Sequence, residues 1–133
     1  HKLGGDLKIL CMVLSTKNEL DRALAVKETW GQKCDDLLFI ADYDDPSLPA
    51  IDMKAEREGT AACLVDKIVK AWQYVHDKRM AGEMDFDFVL KADLDTMPIM
   101  ENIRKLVVTK YMRFNTKHPL YIGKRQKYYV SSL

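Results

Sequence analysis

Several residue types are scarce in this 133-residue chain, and each scarcity excludes a class of protein. Six glycines and four prolines are too few for a collagen-like or disordered chain. Three widely spaced cysteines, Cys11, Cys34 and Cys63, do not fit a zinc site or a disulfide-dense miniprotein. The cysteines are either small buried residues, or two of them form one disulfide in an oxidising compartment, and composition leaves both interpretations open.

An excess of one charge and long apolar runs are also lacking. The chain has 21 Lys and Arg against 20 Asp and Glu, which argues against a general nucleic-acid partner. Its longest apolar run, Ile9–Leu14, is far shorter than the ~20 residues that cross a membrane. The first residues lead into a charged segment and do not resemble a signal peptide. We therefore expect a soluble piece of protein, which can derive from a longer one.

Strand and helix signals alternate along the chain, whose length suits one compact domain. Strands are predicted at residues 7–14, 36–41, 86–92 and 120–123, and a loop at 42–53. Helices are predicted from the capping-box pattern at Thr16 to Gly31, over residues 56–78, and from Pro98 onward. The expected buried stripe of the second helix is Ala61, Leu64, Ile68, Trp72 and Val75. This order predicts a three-layer α/β fold, with a mostly parallel sheet and helices on both faces.

An acidic pair follows the third predicted strand, on the side where parallel sheets bind ligands. Asp93 and Asp95 are one residue apart on a turn, where two carboxylates can hold a divalent cation that binds phosphate oxygens. The same spacing occurs at Asp42-Tyr43-Asp44, in the predicted loop, and at Asp85-Phe86-Asp87, at a strand entry. We interpret those two pairs as ordinary surface carboxylates, so that Asp42 is expected to contribute little to binding.

Two classes of enzyme place such an acidic pair after a strand. Haloacid-dehalogenase phosphatases use the first Asp as a nucleophile, but their motif has Thr or Val two positions after the second Asp, where this chain has Met97. Their motif also ends the first strand of the domain, whereas Asp93 follows two strand–helix units. Metal-dependent glycosyltransferases of the GT-A type place the motif after a nucleotide-binding half, which agrees with the order here.

Residues 88–96, FVLKADLDT, resemble the "WFLKADDDT" segment of the core 1 β1,3-galactosyltransferases, within the Fringe-like β1,3-glycosyltransferase family. Further segments are similar to that family in the same order: residues 9–13 (ILCMV), 26–34 (VKETWGQKC), 37–39 (LLF), Lys67 with 70–75 (KAWQYV), 101–104 (ENIR) and 121–125 (YIGKR). The matches cover nearly the whole chain, from residue 9 to residue 125.

The resemblance implies a GT-A, Rossmann-like domain that moves galactose from UDP-galactose to O-linked N-acetylgalactosamine of glycoproteins with inversion. It implies Mn²⁺ as cofactor, a Golgi type II membrane protein with its anchor outside this chain, and a homodimer as one expected assembly. Residues 1–133 would form the donor-binding half, incomplete at the C-terminus. An alternative is a degenerate, non-catalytic relative that acts as a binding or chaperone module.

Site residues follow from the resemblance position by position. Asp95 would be the direct metal ligand, and Asp93 would contact the nucleotide or the water shell of the metal. Thr16 would meet the nucleotide, and Lys67 is a second candidate, with a solvated helix lysine as its alternative. The middle Asp of the family motif is Leu94 here. The acceptor site, the catalytic base and a third, histidine metal ligand of the family lie beyond Leu133, so the catalytic base is unknown.

The resemblance also bears on the cysteines, because Cys11 and Cys34 both fall in matched segments of the family. We therefore predict a Cys11–Cys34 disulfide, with Cys63 remaining a thiol. Neighbouring parallel strands lie ~4.8 Å apart, which is within reach of disulfide geometry.

Overall fold

In a computed structural model, which describes residues 7–56, 61–114 and 120–124, the chain forms a four-stranded, all-parallel sheet flanked by helices. The strands are β1 (Ile9–Leu14), β2 (Asp36–Ala41), β3 (Ala50–Asp52) and β4 (Phe88–Asp93), in the spatial order β3-β2-β1-β4. The helices are α1 (Leu20–Glu28), α2 (Ala61–Met80) and α3 (Met100–Phe114), with short 3₁₀ turns at Lys17–Glu19 and Trp30–Lys33. The predicted α/β class is confirmed.

Side chains alternate between the two faces of the sheet, and each face has its own core. Ile9, Cys11 and Val13 of β1 pack on the first face, with α1 and the start of α3. Leu10 and Met12 pack on the second face, with α2. Because β1 is paired on both sides and covered on both faces, it is the most buried strand, as its continuous apolar sequence predicts.

One loop prediction and one strand prediction are wrong. The predicted loop contains β3, which pairs with Phe39–Ala41; three residues directly after Pro49 are too few to show an alternating pattern. Residues 120–123 are described but form no strand. Leu120 and Ile122 instead line an apolar cavity with residues of β4 and α3.

The buried stripe of α2 also differs from the prediction. It consists of Cys63, Lys67, Ala71 and Val75, whereas Leu64 and Trp72 are about half exposed. Ala71 is fully buried and allows α2 to approach the sheet closely. Val75 is buried as predicted, but at the other buried positions the stripe chosen by side-chain size is displaced by one residue. No helix among the described residues is long and apolar enough to span a membrane.

The starts of α1 and α3 are shifted from their predicted positions. Thr16 precedes a 3₁₀ turn instead of α1, and its side chain caps no backbone amide. The Thr16 hydroxyl instead lies 3.5 Å from a carboxylate oxygen of Glu19, so the predicted capping box is not formed. The third helix begins at Met100, two residues after Pro98.

The predicted Cys11–Cys34 disulfide is present, with a Cα–Cα distance of 6.0 Å. It connects β1 to the segment that enters β2. Cys63 is a buried thiol on α2.

Candidate functional site at the carboxyl edge of the sheet

The turns that follow β1 and β4 meet at the carboxyl edge of the sheet. Leu14 and Asp93 are register partners, so the residues just beyond them lie side by side. Between the turns is an open cavity of about 270 Å³. Its lining residues are Leu14, Ser15, Thr16, Glu19, Arg22, Leu64, Lys91, Asp93, Leu94 and Asp95. The structure therefore brings together Thr16, Asp93 and Asp95, three of the four predicted site residues.

A tight turn presents the acidic pair to the cavity. The Thr96 amide donates a hydrogen bond to the Asp93 carbonyl at 3.0 Å, which closes the turn. Leu94, between the two acids, packs against the core of the first face. Because Leu94 faces the core and the side chains of Asp93 and Asp95 are exposed, the middle position of the motif contributes packing rather than a ligand.

The three Asp-x-Asp pairs differ in how their carboxylates are occupied. Asp42 accepts a hydrogen bond from the Lys17 amide at 2.9 Å, and Asp44 accepts one from the Asp52 amide at 2.9 Å. Asp87 accepts the Lys8 amide at 3.0 Å, and Asp85 pairs with the Lys8 ammonium at 2.7 Å. These four carboxylates have structural partners.

Asp95 differs from all of them. Within the described ranges its carboxylate makes no hydrogen bond or ion pair, although it lines the cavity. Asp93 has one ion pair, with Lys91 at 3.2 Å. The pair after β4 is thus the one whose oxygens remain available to a ligand.

Three hydrogen bonds fix the turn after β1 to β2 and to the residues that follow β2. In the first, the Ser15 amide donates to the Ile40 carbonyl at 2.9 Å. Ser15 is fully buried, and its hydroxyl lies 2.8 Å from the Tyr43 hydroxyl. The Asp42 carboxylate accepts the hydrogen bond from the Lys17 amide described above. Asp42 therefore positions the backbone beside Thr16, a structural contact that its interpretation as an ordinary surface carboxylate did not include, and its small effect on binding stays a prediction. The same bond occupies a backbone amide that an anion would otherwise meet.

Lys67 does not line the cavity. It is almost fully buried on α2, one turn beyond Leu64, which does line the cavity. A buried position excludes the alternative of a solvated helix lysine. Lys67 and Ser15 are the buried polar residues in the part of the chain that the structure describes.

Three charged residues of the cavity were not predicted from the sequence. Arg22 and Glu19 form an ion pair of 3.1 Å across one turn at the start of α1. Lys91 precedes Asp93 by two positions on β4, so that strand periodicity places both side chains on one face. That period-2 spacing could have identified Lys91, whereas nothing in the sequence singled out Arg22.

Formal charges in the cavity sum to −1, from three carboxylates and two cations. Nearby carboxylates repel a diphosphate unless a divalent cation lies between them. The donors here are hard carboxylate oxygens without thiol or imidazole, which suits Mn²⁺ or Mg²⁺. However, residues 7–56, 61–114 and 120–124 contain no cluster of three or more His, Cys, Asp or Glu that could hold a metal ion. Asp93 and Asp95 fit such an ion as part of its coordination shell.

An open parallel sheet in the order β3-β2-β1-β4, flanked by helices and with a cavity at its carboxyl edge, places the chain in the Rossmann-like class of α/β folds. The chain is 32% identical over 131 residues to "Glycoprotein-N-acetylgalactosamine 3-beta-galactosyltransferase 1" of Xenopus laevis. The alignment covers 98% of this chain and 34% of that relative, so the chain spans about a third of its length. No protein-family model matches the chain. The aligned similarity confirms the resemblance to the core 1 β1,3-galactosyltransferases that the sequence motifs indicate.

Proposed function

We propose that this protein is an inverting β1,3-galactosyltransferase that moves galactose from UDP-galactose to O-linked N-acetylgalactosamine of glycoproteins. The described chain would supply its donor-binding half. The observation that carries the proposal is the Asp93–Asp95 turn, in which Asp95 has no structural partner within the described ranges and borders a cavity. The similarity to a galactosyltransferase over nearly the whole chain adds support.

Each site residue has a distinct proposed task. Asp95 would coordinate Mn²⁺ directly, and Asp93 would contact the nucleotide or a metal-bound water. Thr16, across the cavity, would place its hydroxyl against the nucleotide. Lys67 on α2, which does not line the cavity, is the second candidate for a contact with the nucleotide.

Bound Mn²⁺ would neutralise the negative charge that develops on the departing diphosphate. Inversion by single displacement also needs a base that deprotonates the acceptor hydroxyl. We assign that role to no described residue. The acceptor site and the base are expected in a part of the protein that this chain does not contain.

The proposed location is the Golgi lumen, with a membrane anchor outside this chain. The Cys11–Cys34 disulfide supports an oxidising compartment, since disulfides are rare in the cytosol. A homodimer remains an expectation from the resemblance.

Transfer of galactose from UDP-galactose to a GalNAc-peptide by the full-length protein tests the proposal. We expect product with Mn²⁺, little with chelator, and a loss of about 100-fold or more for Asp95→Ala, because ligand removal weakens the metal that stabilises the leaving group. UDP-glucose and UDP-N-acetylglucosamine in parallel reactions identify the donor. A folded protein that binds UDP yet transfers no sugar would favour the non-catalytic module.

A further inference from the structure

Lys91 places a positive charge inside the candidate donor site. Its ammonium lies 3.2 Å from Oδ1 of Asp93, and both side chains line the cavity that Asp95 also borders. The side chains of Lys91 and Asp93 are 34% and 59% exposed, respectively, so the ion pair faces the cavity and is open to solvent. One of the two candidate metal carboxylates is therefore neutralised by the chain itself.

We propose that Lys91 is an exchangeable counter-ion of the donor site. Its ammonium pairs with the Asp93 carboxylate when no divalent cation is bound. When metal and nucleotide bind together, the ammonium leaves Asp93 and pairs with the diphosphate of the nucleotide. This inference rests on the proposed function and describes how the same site is regulated by its own ligands.

Electrostatics requires such an exchange if a metal binds here. A divalent cation at Asp93 and Asp95 would repel an ammonium that stays against the same carboxylate. Lysine carries its charge on a flexible four-carbon stem, so the ammonium can turn away without a change in the strand. A partly exposed ion pair is weak and therefore easily exchanged.

The exchange has a thermodynamic consequence. Metal alone must displace Lys91, and nucleotide alone meets a site with a net negative charge. When both are present, Asp93 and Asp95 would bind the metal, and the displaced Lys91 ammonium would pair with the diphosphate. Each ligand then strengthens the binding of the other by the same factor, as linkage demands.

The chain offers a matched control at the opposite end of the sheet. The Lys8 ammonium pairs with Asp85 at 2.7 Å, and Asp85 belongs to the Asp-x-Asp pair that precedes β4. Both lysines thus pair with one member of an Asp-x-Asp motif, but Lys8 lies at the amino edge, away from the cavity. Replacing Lys8 therefore reproduces the loss of a lysine–aspartate pair without touching the site.

The experiment compares full-length wild type with Lys91→Met, Lys91→Arg and Lys8→Met. Electron paramagnetic resonance of free Mn²⁺ measures the affinity for the metal alone, and calorimetry measures UDP affinity at saturating Mn²⁺. For Lys91→Met we expect Mn²⁺ to bind about 2- to 5-fold tighter, the value of one exposed ion pair. UDP should bind about 10-fold weaker because one charge-assisted contact is lost. Lys91→Arg, which keeps the charge, and Lys8→Met should stay within about 2-fold of wild type for Mn²⁺ alone.

The outcomes separate this inference from the function on which it rests. Mn²⁺-dependent UDP binding by wild type together with unchanged or weaker Mn²⁺ binding by Lys91→Met overturns the counter-ion role alone. Equal changes in Lys8→Met and Lys91→Met also overturn it, since a general charge effect would then explain both. If wild type binds UDP equally with and without Mn²⁺, the proposed function fails, and the counter-ion role with it.

Discussion

At the residue scale, Asp35 and Arg104 connect three elements at the amino edge of the sheet. The Arg104 guanidinium donates hydrogen bonds of 2.8 Å to the Leu7 carbonyl, the Lys33 carbonyl and the Asp35 carboxylate. Asp35 also accepts the Ile9 amide at 2.8 Å. These bonds attach α3 to both central strands, and they lie at the opposite edge from the cavity.

The charge of Asp35 makes stability depend on pH. Partial burial raises its pKa, but the hydrogen bonds from Ile9 and Arg104 and the guanidinium charge outweigh burial, so the pKa lies below its ordinary value of 3.8. A carboxylate with a lowered pKa stabilises the folded state above its unfolded-state pKa, and this contribution is lost as the pH falls through the folded-state pKa.

We therefore expect Asp35→Asn to lower the free energy of unfolding by about 1 kcal/mol at pH 7, the value of a partly exposed charged contact. The difference from wild type should shrink as the pH falls below 3.8 toward the folded-state pKa. Urea unfolding at several pH values measures it. Asp36→Asn, an exposed neighbour, should stay near zero throughout; a deficit of Asp35→Asn that grows below pH 3.8 would refute the account.

The disulfide gives a second prediction at this scale. Cys11 and Cys34 are separated by 23 positions, and closing a loop of that length stabilises a fold by about 3 kcal/mol in the chain-entropy model. The double substitution of Cys11 and Cys34 by Ala should lower the free energy of unfolding by that amount. Denaturant unfolding measures the loss. Reducing agent should destabilise wild type and leave the double variant unchanged, and equal sensitivity in both would contradict the bond.

At the element scale, the packing of α2 decides which side of the helix stabilises the fold. Val75 is 2% exposed in the core of the second face, whereas Val69 is 60% exposed. We expect Val75→Ala to cost about 2 kcal/mol, because it leaves a cavity in a close-packed core. The same substitution at Val69 should cost less than about 0.5 kcal/mol. Thermal and urea unfolding of both variants measure the difference. Equal losses would mean that α2 packs in another register.

Burial along α2 also explains which parts of the fold were predictable. The predicted positions of β1, β2 and β4 were correct because sequence pattern and burial agree in these strands. The stripe of α2 was correct at Val75 but wrong at Leu64 and Trp72, because Ala71 and Lys67 occupy the core side. Neither residue type has the size or apolarity that marks a buried position in sequence. β3 was missed because three residues carry no periodicity.

At the scale of the whole molecule, topology determines the site. A parallel sheet in this order brings the turns after β1 and β4 together, although they are about 80 residues apart in sequence. The strand-end rule directed attention to the segments that contain Thr16, Asp93 and Asp95, and the family resemblance selected these residues within them. The partners that distinguish Asp95 from the other Asp-x-Asp residues required the structure, because hydrogen bonds such as the one from the Lys17 amide to Asp42 join distant segments.

The central claim is that Asp93 and Asp95 bind a nucleotide diphosphate through a divalent cation. Calorimetric titration of the full-length protein with UDP, in Mn²⁺ and in chelator, tests it most directly. We predict affinity at least about 10-fold higher with Mn²⁺ and loss of most binding in Asp95→Ala. Asp85→Ala, from the same motif at the opposite edge, should bind like wild type; it is a cleaner control than Asp42→Ala, because Asp42 holds the Lys17 amide. Equal UDP affinity in Mn²⁺ and in chelator would contradict the account.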